Sequence, residues 1–319
     1  MKKHNSYSSL IPGFAGGCLL IVLCSGFGNL MAQDTTAKKA TVASDTTAAP
    51  VIKKKSYVKD TFEGNYIIDD QTVMVPVKGT FEFDIQHRFG TVENGFSDAF
   101  GLFSSATMRL GFTYVAVNNI QIGLGASNEK MEVDGNLKYA MVKQTKDGSM
   151  PVSITYYGNA VMDTRKQDNT TTLFVNTSDR FSFYNEIMIA RKFGEKLALQ
   201  ISPAYSHFNN LEGYLDANGN VKPIWKNDNF GIGLGGRLQV SDGMSIIANY
   251  DQPITQNPAQ NPHPNISFGI DMRTSGHDFQ IFIGNYSSLM PQNNMLYNQN
   301  DYRKGEFLIG FNISRLWNF

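Results

Sequence analysis

The sequence predicts an all-β chain, an antiparallel up-and-down transmembrane β-barrel of about twelve strands. Three observations carry this. Short segments of alternating apolar and polar residues recur from Thr80 to the C-terminus, the period-2 signature of a strand with two unlike faces. The connections between them alternate between tight turns and long polar loops, as they do when short turns face the periplasm and long loops face outside. Beyond residue 32 no apolar run reaches the length of a membrane-spanning helix, so any span must be made of strands closed on themselves.

The N-terminus accounts for the early apolar run. Lys2 and Lys3 precede the stretch Leu10 to Leu23, and Leu30-Met31-Ala32 follows, which reads as a secretory signal peptide over residues 1–32 cleaved after Ala32. An uncleaved anchor conflicts with Pro12, Gly13, Gly16 and Gly17, and a lipoprotein site at Cys24 conflicts with the large Leu23 before it. Both cysteines fall in the removed part. The mature chain therefore carries no thiol chemistry, disulfide or cysteine metal site. The whole chain has 28 basic and 28 acidic residues, and losing Lys2 and Lys3 leaves 26 basic (28 − 2) against 28. That balance gives no electrostatic case for nucleic acid, and no motif calls for a cofactor.

Residues 33–60 are rich in Thr, Ala and Lys, with the cluster Lys53-Lys54-Lys55. They read as a flexible periplasmic leader with too little apolar surface to offset the entropy of ordering. The lysines are either solvated charge or a docking tail for a periplasmic or envelope partner. Residues 61–319 are assigned to the barrel, with 61–78 as a short strand or a segment packed near its mouth.

TFEFDIQHRF, Thr80 to Phe89, is the first clear strand, with Phe81, Phe83, Ile85, His87 and Phe89 on one face and Glu82, Asp84, Gln86 and Arg88 on the other. The same alternation follows at Met108 to Tyr114, Ile120 to Leu124, Leu137 to Met141, Val152 to Tyr156, Phe181 to Ile189 and Leu197 to Tyr205. It continues at Phe230 to Val240, Met244 to Tyr250, Ile266 to Met272 and Phe279 to Ile283. Short turns are expected at Asn118-Asn119, Lys146-Asp147-Gly148, Phe193-Gly194-Glu195, Ser241-Asp242-Gly243 and Thr274-Ser275-Gly276. Long loops are expected near 90–104, 127–134, 163–179, 208–227, 253–265 and 286–304.

The last strand, EFLIGFNISRLWNF from Glu306, places Phe307, Ile309, Phe311, Ile313, Trp317 and Phe319 on one face and Gly310, Asn312, Ser314 and Asn318 on the other. It resembles the closing strand of bacterial outer-membrane barrels, and the alternative is the final strand of a soluble sandwich. The resemblance implies that Trp317 and Phe319 form the insertion signal read by the barrel-insertion machinery. Arg315 would sit at the periplasmic rim, where its long side chain reaches water. Three patches, HRFG (His87 to Gly90), Thr274-Ser275-Gly276-His277-Asp278-Phe279-Gln280 and GFNISR (Gly310 to Arg315), resemble an uncharacterised family of Bacteroidota outer-membrane β-barrels. That resemblance implies an outer-membrane location in contact with lipid. It supplies no activity and no catalytic residues.

Inward parity marks Glu82, Asp84, Arg88, Arg109, Glu186, Arg237 and Asp271 as candidate lumen-lining residues. They could line a water-filled path or pair across the interior and seal it. Gly231, Gly233 and Gly235 share that face, which leaves room for a loop, the leader or a solute, or else curves the wall. His87 could meet His207 or His263 in a hydrolase site, whereas His277 belongs to the other rim. Asp216, Asn218 and Asn220 around Gly219 hint at a calcium loop, with a plain Asn-Gly turn as the alternative. Loop aromatics, among them Phe96, Phe103, Trp225 and Tyr297, could bind an external partner or fold the loops together. Three functions stay open: a channel for small polar solutes, a non-conducting anchor or scaffold in an envelope complex, and an outer-membrane hydrolase. The expected answer to enzymatic activity is no.

Overall fold

The computed structural model describes residues 56–167 and 174–319. The signal-peptide reading of residues 1–32, and the leader reading as far as residue 55, lie outside the described residues. Twelve strands form one closed antiparallel barrel: β1 (Thr80–Thr91), β2 (Thr107–Val117), β3 (Ile120–Ser127), β4 (Glu132–Val142), β5 (Ser153–Asp163), β6 (Phe181–Phe193), β7 (Leu197–Phe208), β8 (Asp228–Ser241), β9 (Met244–Pro253), β10 (Asn265–Arg273), β11 (His277–Gly284) and β12 (Leu308–Asn318). Each strand pairs with the next, and β12 returns to β1 with Ile313 opposite Ile85 and Trp317 opposite Phe81. Closure leaves no strand edge unpaired.

The alternation read from the sequence sets the two faces of this wall. Along β2, Leu110, Phe112 and Tyr114 are exposed while Arg109, Thr113 and Val115 are buried. The same exposed apolar rows recur at Leu197, Leu199 and Ile201 on β7 and at Ile281 and Ile283 on β11. An apolar belt around a closed barrel is a surface for lipid, since in water it would drive association. Among the described residues no helix is long and apolar enough to cross a membrane.

The five expected short turns lie at one end, because successive hairpins of an up-and-down barrel alternate ends, but the one at Lys146-Asp147-Gly148 belongs to a ten-residue connection, 143–152, that also takes the bridge from Tyr57. Asn119 and Gly243 at this end take left-handed φ angles of 69° and 79°, the conformation that tight hairpins demand. A Cβ at Gly243 would also lie 2.8 Å from the carbonyl oxygen of Arg273, so this turn requires glycine on two grounds. The connections at the other end are long, with one correction. The loop expected over 127–134 shrinks to the residues between β3 and β4, because Glu132 and Val133 are already paired with Asp163 and Met162.

The larger correction concerns residues 61–78, expected as a short strand or a segment near the barrel mouth. They fill the barrel instead. The chain enters at the short-turn end, where Tyr57 bridges Thr145 and the Val58 amide donates to Gln144 O at 2.8 Å. It turns inside through a small hairpin, Tyr66–Ile67 against Asp70–Gln71, and leaves by the same end, where the Gly79 amide donates to Val115 O at 2.9 Å. Phe62, Ile67, Ile68 and Val73 of this plug make one buried cluster with Met188, Ile247, Phe282, Tyr286 and Met295. The hydrophobic core of the protein therefore lies inside the barrel. From the opposite end a short helix, α1 (Pro291–Tyr297), folds inward and buries Gln292, Asn293, Asn294, Met295 and Leu296. The β8 glycines clear space for both occupants: a Cβ at Gly231 would lie 3.1 Å from Met295, at Gly233 3.1 Å from Asp70, and at Gly235 3.5 Å from Ile67.

Candidate functional site in the barrel interior

The seven residues with inward parity are all buried, and their partners divide them into two groups. Arg109 ties the wall to itself: its Nε and NH2 donate to the two oxygens of Asp134 at 2.8 Å each, and its NH1 meets Asp84 at 3.1 Å. Asp271 accepts from Gln280 Nε2 at 3.0 Å. Arg88, Arg237 and Glu82 instead hold the plug. Arg88 pairs with Asp69 at 3.5 Å and lies 4.5 Å over the ring of Phe282. Arg237 pairs with Glu63, which also meets Arg273 at 3.0 Å, and donates to the carbonyl of Asp60 at 3.2 Å. Glu82 accepts from the amide of Asn65, and Glu186 lines a small void with Tyr66, Asp70 and Tyr157. Pairing across the interior is what makes so many buried charges tolerable.

Sequence reasoning missed a second set of wall residues, which grip the plug's backbone. Gln280 accepts from the Ile68 amide at 3.1 Å and donates to the Tyr66 carbonyl at 2.9 Å. Gln200 does the same one turn of chain later, accepting from Val73 N at 3.1 Å and donating to Gln71 O at 2.7 Å. Thr155 donates to Val73 O at 2.9 Å, and Lys138 reaches Asn65 O and Met74 O at 3.3 Å each. The signal was present in the sequence: Lys138, Gln200 and Gln280 have the same inward parity as the charged candidates. Ile68 is held at φ 58°, a costly conformation for a β-branched residue. The wall fixes both of its peptide groups, with Asn312 donating to its carbonyl at 2.6 Å.

Little free space remains around the plug; a larger hollow of about 90 Å³ lies toward the long-loop end, between Glu132, Asp163, Ser182 and Asn293 and Tyr297 of α1. The void beside Asp70, Gly233 and Asp251 holds about 20 Å³, and the one beside Tyr66, Arg109 and Glu186 about 10 Å³, enough for a single water. Enclosure raises the Asp70 carboxyl well above the usual range, and the nearby Asp251 and Asp69 carboxylates raise it further. Burial also raises Asp69, against the opposing pull of Arg88. A raised carboxyl favours the docked plug in its protonated form. The stabilisation is complete below the ordinary Asp value of about 3.9 and is lost as pH rises through the raised value. Amide-exchange protection of residues 66–74, corrected for intrinsic rates, should therefore fall as pH rises, and Asp70→Asn should flatten that dependence. An equal slope in both proteins would remove Asp70 from the account.

The three sequence patches meet at one place. HRFG supplies Arg88, the turn patch supplies Gln280 and GFNISR supplies Asn312. Arg88 NH1 donates to Asn312 Oδ1 at 2.9 Å, Asn312 Nδ2 donates to Gln280 Oε1 at 2.9 Å, and all three contact Ile68. A family model described as "Membrane bound beta barrel domain (DUF5777)" matches residues 62–317, a span that takes in the plug from Phe62 and all of the barrel but the last residue of β12. The chain belongs to that family. No curated relative matches it. Among solved structures it is similar to the NanC porin (10% identity, TM-score 0.45, covering 75% of this chain and 99% of that one). It is also similar to the COG4313 outer membrane channel from Pseudomonas putida F1 (14%, 0.46, 76% and 97%) and to the P. putida toluene transporter TodX (9%, 0.39, 83% and 96%). These are loose likenesses between barrels; the family match establishes a membrane-bound β-barrel.

The remaining candidates lie elsewhere. His87 stacks on Phe311 at 5.0 Å on the outer face of β1, while His207, on β7, meets Asp228 at 2.7 Å. β1 and β7 stand half-way round the ring from one another, so the pairing of His87 with His207 does not form. The His263 amide donates to Asn298 O in the long-loop cluster. His277 lies 3.3 Å from Arg315 at the short-turn end. Among the described residues no group of three or more His, Cys, Asp or Glu side chains could hold a metal ion. Asp216 accepts from the amides of Asn218 and Asn220 at 2.9 Å each, so its carboxylate closes a turn. Trp225 packs edge-on against Tyr297 at 5.0 Å, folding loops together, whereas Phe96 and Phe103 stand exposed. Trp317 packs against Phe81 at 5.7 Å and Phe319 is 89% exposed at the chain end.

Proposed function

We propose that the protein is an outer-membrane channel for small polar solutes that its own residues 61–77 hold shut. The observation behind this reading is a single continuous segment docked in a wall of polar and charged side chains. A permanently inert filling has no need of such a wall, since apolar packing would serve without desolvating charge. A polar wall can take up water when the plug leaves, and both ends of the plug lie at the short-turn end, so it can withdraw without threading. In this reading the short turns and the segment before Ser56 face the periplasm, the apolar belt meets outer-membrane lipid, and Trp317 and Phe319 serve the barrel-insertion machinery.

A second reading, a non-conducting scaffold in an envelope complex, is favoured by α1, which enters from the other end and adds a second obstruction. Single-channel recording in planar bilayers separates the two. The full-length mature protein is expected to be silent and a variant lacking residues 61–77 to give steady ohmic steps. Silence from both, in protein verified as folded, would put the scaffold reading ahead. Neither reading assigns an enzymatic activity.

A further inference from the structure

We infer that the barrel interior is a receptor for a looped polypeptide segment, which residues 60–74 occupy in cis and which a peptide of another chain occupies when they withdraw. This rests on the gated reading above, and it names a ligand class for the same lumen. Most of the wall's hydrogen bonds to the plug go to peptide groups. Gln280 and Gln200 each grip one N–H and one C=O of the plug, spanning Tyr66 to Ile68 and Gln71 to Val73. A primary amide presents the same donor and acceptor as a neighbouring strand, so these two glutamines act as a substitute strand edge. Thr155, Lys138, Asn312 and Arg237 take further backbone carbonyls. Backbone groups are common to every sequence, so this part of the recognition is transferable to other peptides.

The side chains add affinity and register. Phe62, Ile67, Ile68 and Val73 supply buried apolar area, and Glu63 with Arg237 and Asp69 with Arg88 set which residue lies where along the wall. They also give the tethered segment an advantage over a free competitor, beyond the effective concentration that its covalent link already confers. The approach is open on one side: the occupying segment enters and leaves at the short-turn end, and its tip reaches only as far as Asn294 of α1, which touches Asp69. A peptide presented from that end meets the same wall in the same orientation.

The test uses synthetic peptides on the barrel lacking residues 61–77. Binding of a labelled peptide of sequence 60–77 is followed by fluorescence anisotropy, with conductance recorded separately. Methylating the amide nitrogens of Ile68 and Val73 removes the two donors to Gln280 and Gln200 and should weaken binding about tenfold or more. A peptide that keeps Phe62, Glu63, Ile67, Ile68, Asp69 and Val73 and exchanges the other side chains should bind within about tenfold of the native one. Retention by the methylated peptide, or loss by the exchanged one, would overturn the inference. So would failure of every peptide to bind a folded barrel. Conductance without peptide binding sinks only this inference; peptide binding without conductance sinks only the channel. Should the deletion variant not fold, the full chain carrying a protease site between Val77 and Lys78 is cut after folding and the same peptides compete for the nicked plug, with the same outcomes.

Discussion

Arg109→Met is expected to lower the unfolding free energy of the barrel by about 3–5 kcal/mol, the cost of removing one partner from a buried ion cluster. The guanidinium stands between Asp84 of β1 and Asp134 of β4, and Gly111 and Gly125 leave the room it occupies. Without it two carboxylates face each other away from water, and Asp84 Oδ2 already lacks a partner. The companion variant Arg109→Met/Asp84→Asn/Asp134→Asn removes the charge with its partners and should recover most of the loss, because replacing a whole buried cluster is far less costly than halving it. Urea midpoints in detergent micelles, read by the mobility difference between folded and unfolded barrel, measure both. A single variant that loses less than about 1 kcal/mol would mean that water reaches the cluster and the wall there is not sealed.

Phe62→Ala should act on the plug alone. Phe62 is 1% exposed within the interior cluster, and truncating a buried phenylalanine costs about 3–5 kcal/mol. Because the plug is one segment held from one end, that loss falls on docking, and the strands keep their ladder. Amide exchange in residues 61–77 should accelerate by two to three orders of magnitude, roughly tenfold for each 1.4 kcal/mol, while the strands keep their protection. Brief conductance events should accompany the change. Equal loss of protection in the strands would make plug and barrel one cooperative unit, and a gate that cannot open separately is no gate.

The wall was legible because a strand's two faces are written residue by residue. Leu110, Phe112 and Tyr114 against Arg109 and Thr113 give one strand's orientation with no knowledge of any other, and the turn at Asn118-Asn119 gives its end. The plug was not legible for the complementary reason. Phe62, Ile67, Ile68 and Val73 follow no period, since each packs into a different part of the surrounding wall. Nothing local marks Ile68 as a residue with positive φ; Gln280, Asn312 and Arg88, more than two hundred positions away for two of them, hold it there.

The charged candidates stood between these cases. Parity assigned Arg88, Arg109 and Arg237 to the inner face, but pairing is a property of distance across the ring. Arg109 meets Asp134 within the wall, whereas Arg237 meets Glu63 from the plug, and no sequence spacing separates the two outcomes. The sequence by itself determined a closed wall with an apolar outside, a polar inside and a long-loop end, because alternation and turn chemistry are local. Only the tertiary structure decided what fills that wall, because the contacts that seat residues 61–77 and α1 join segments remote in the chain, and only folding brings them within hydrogen-bond reach.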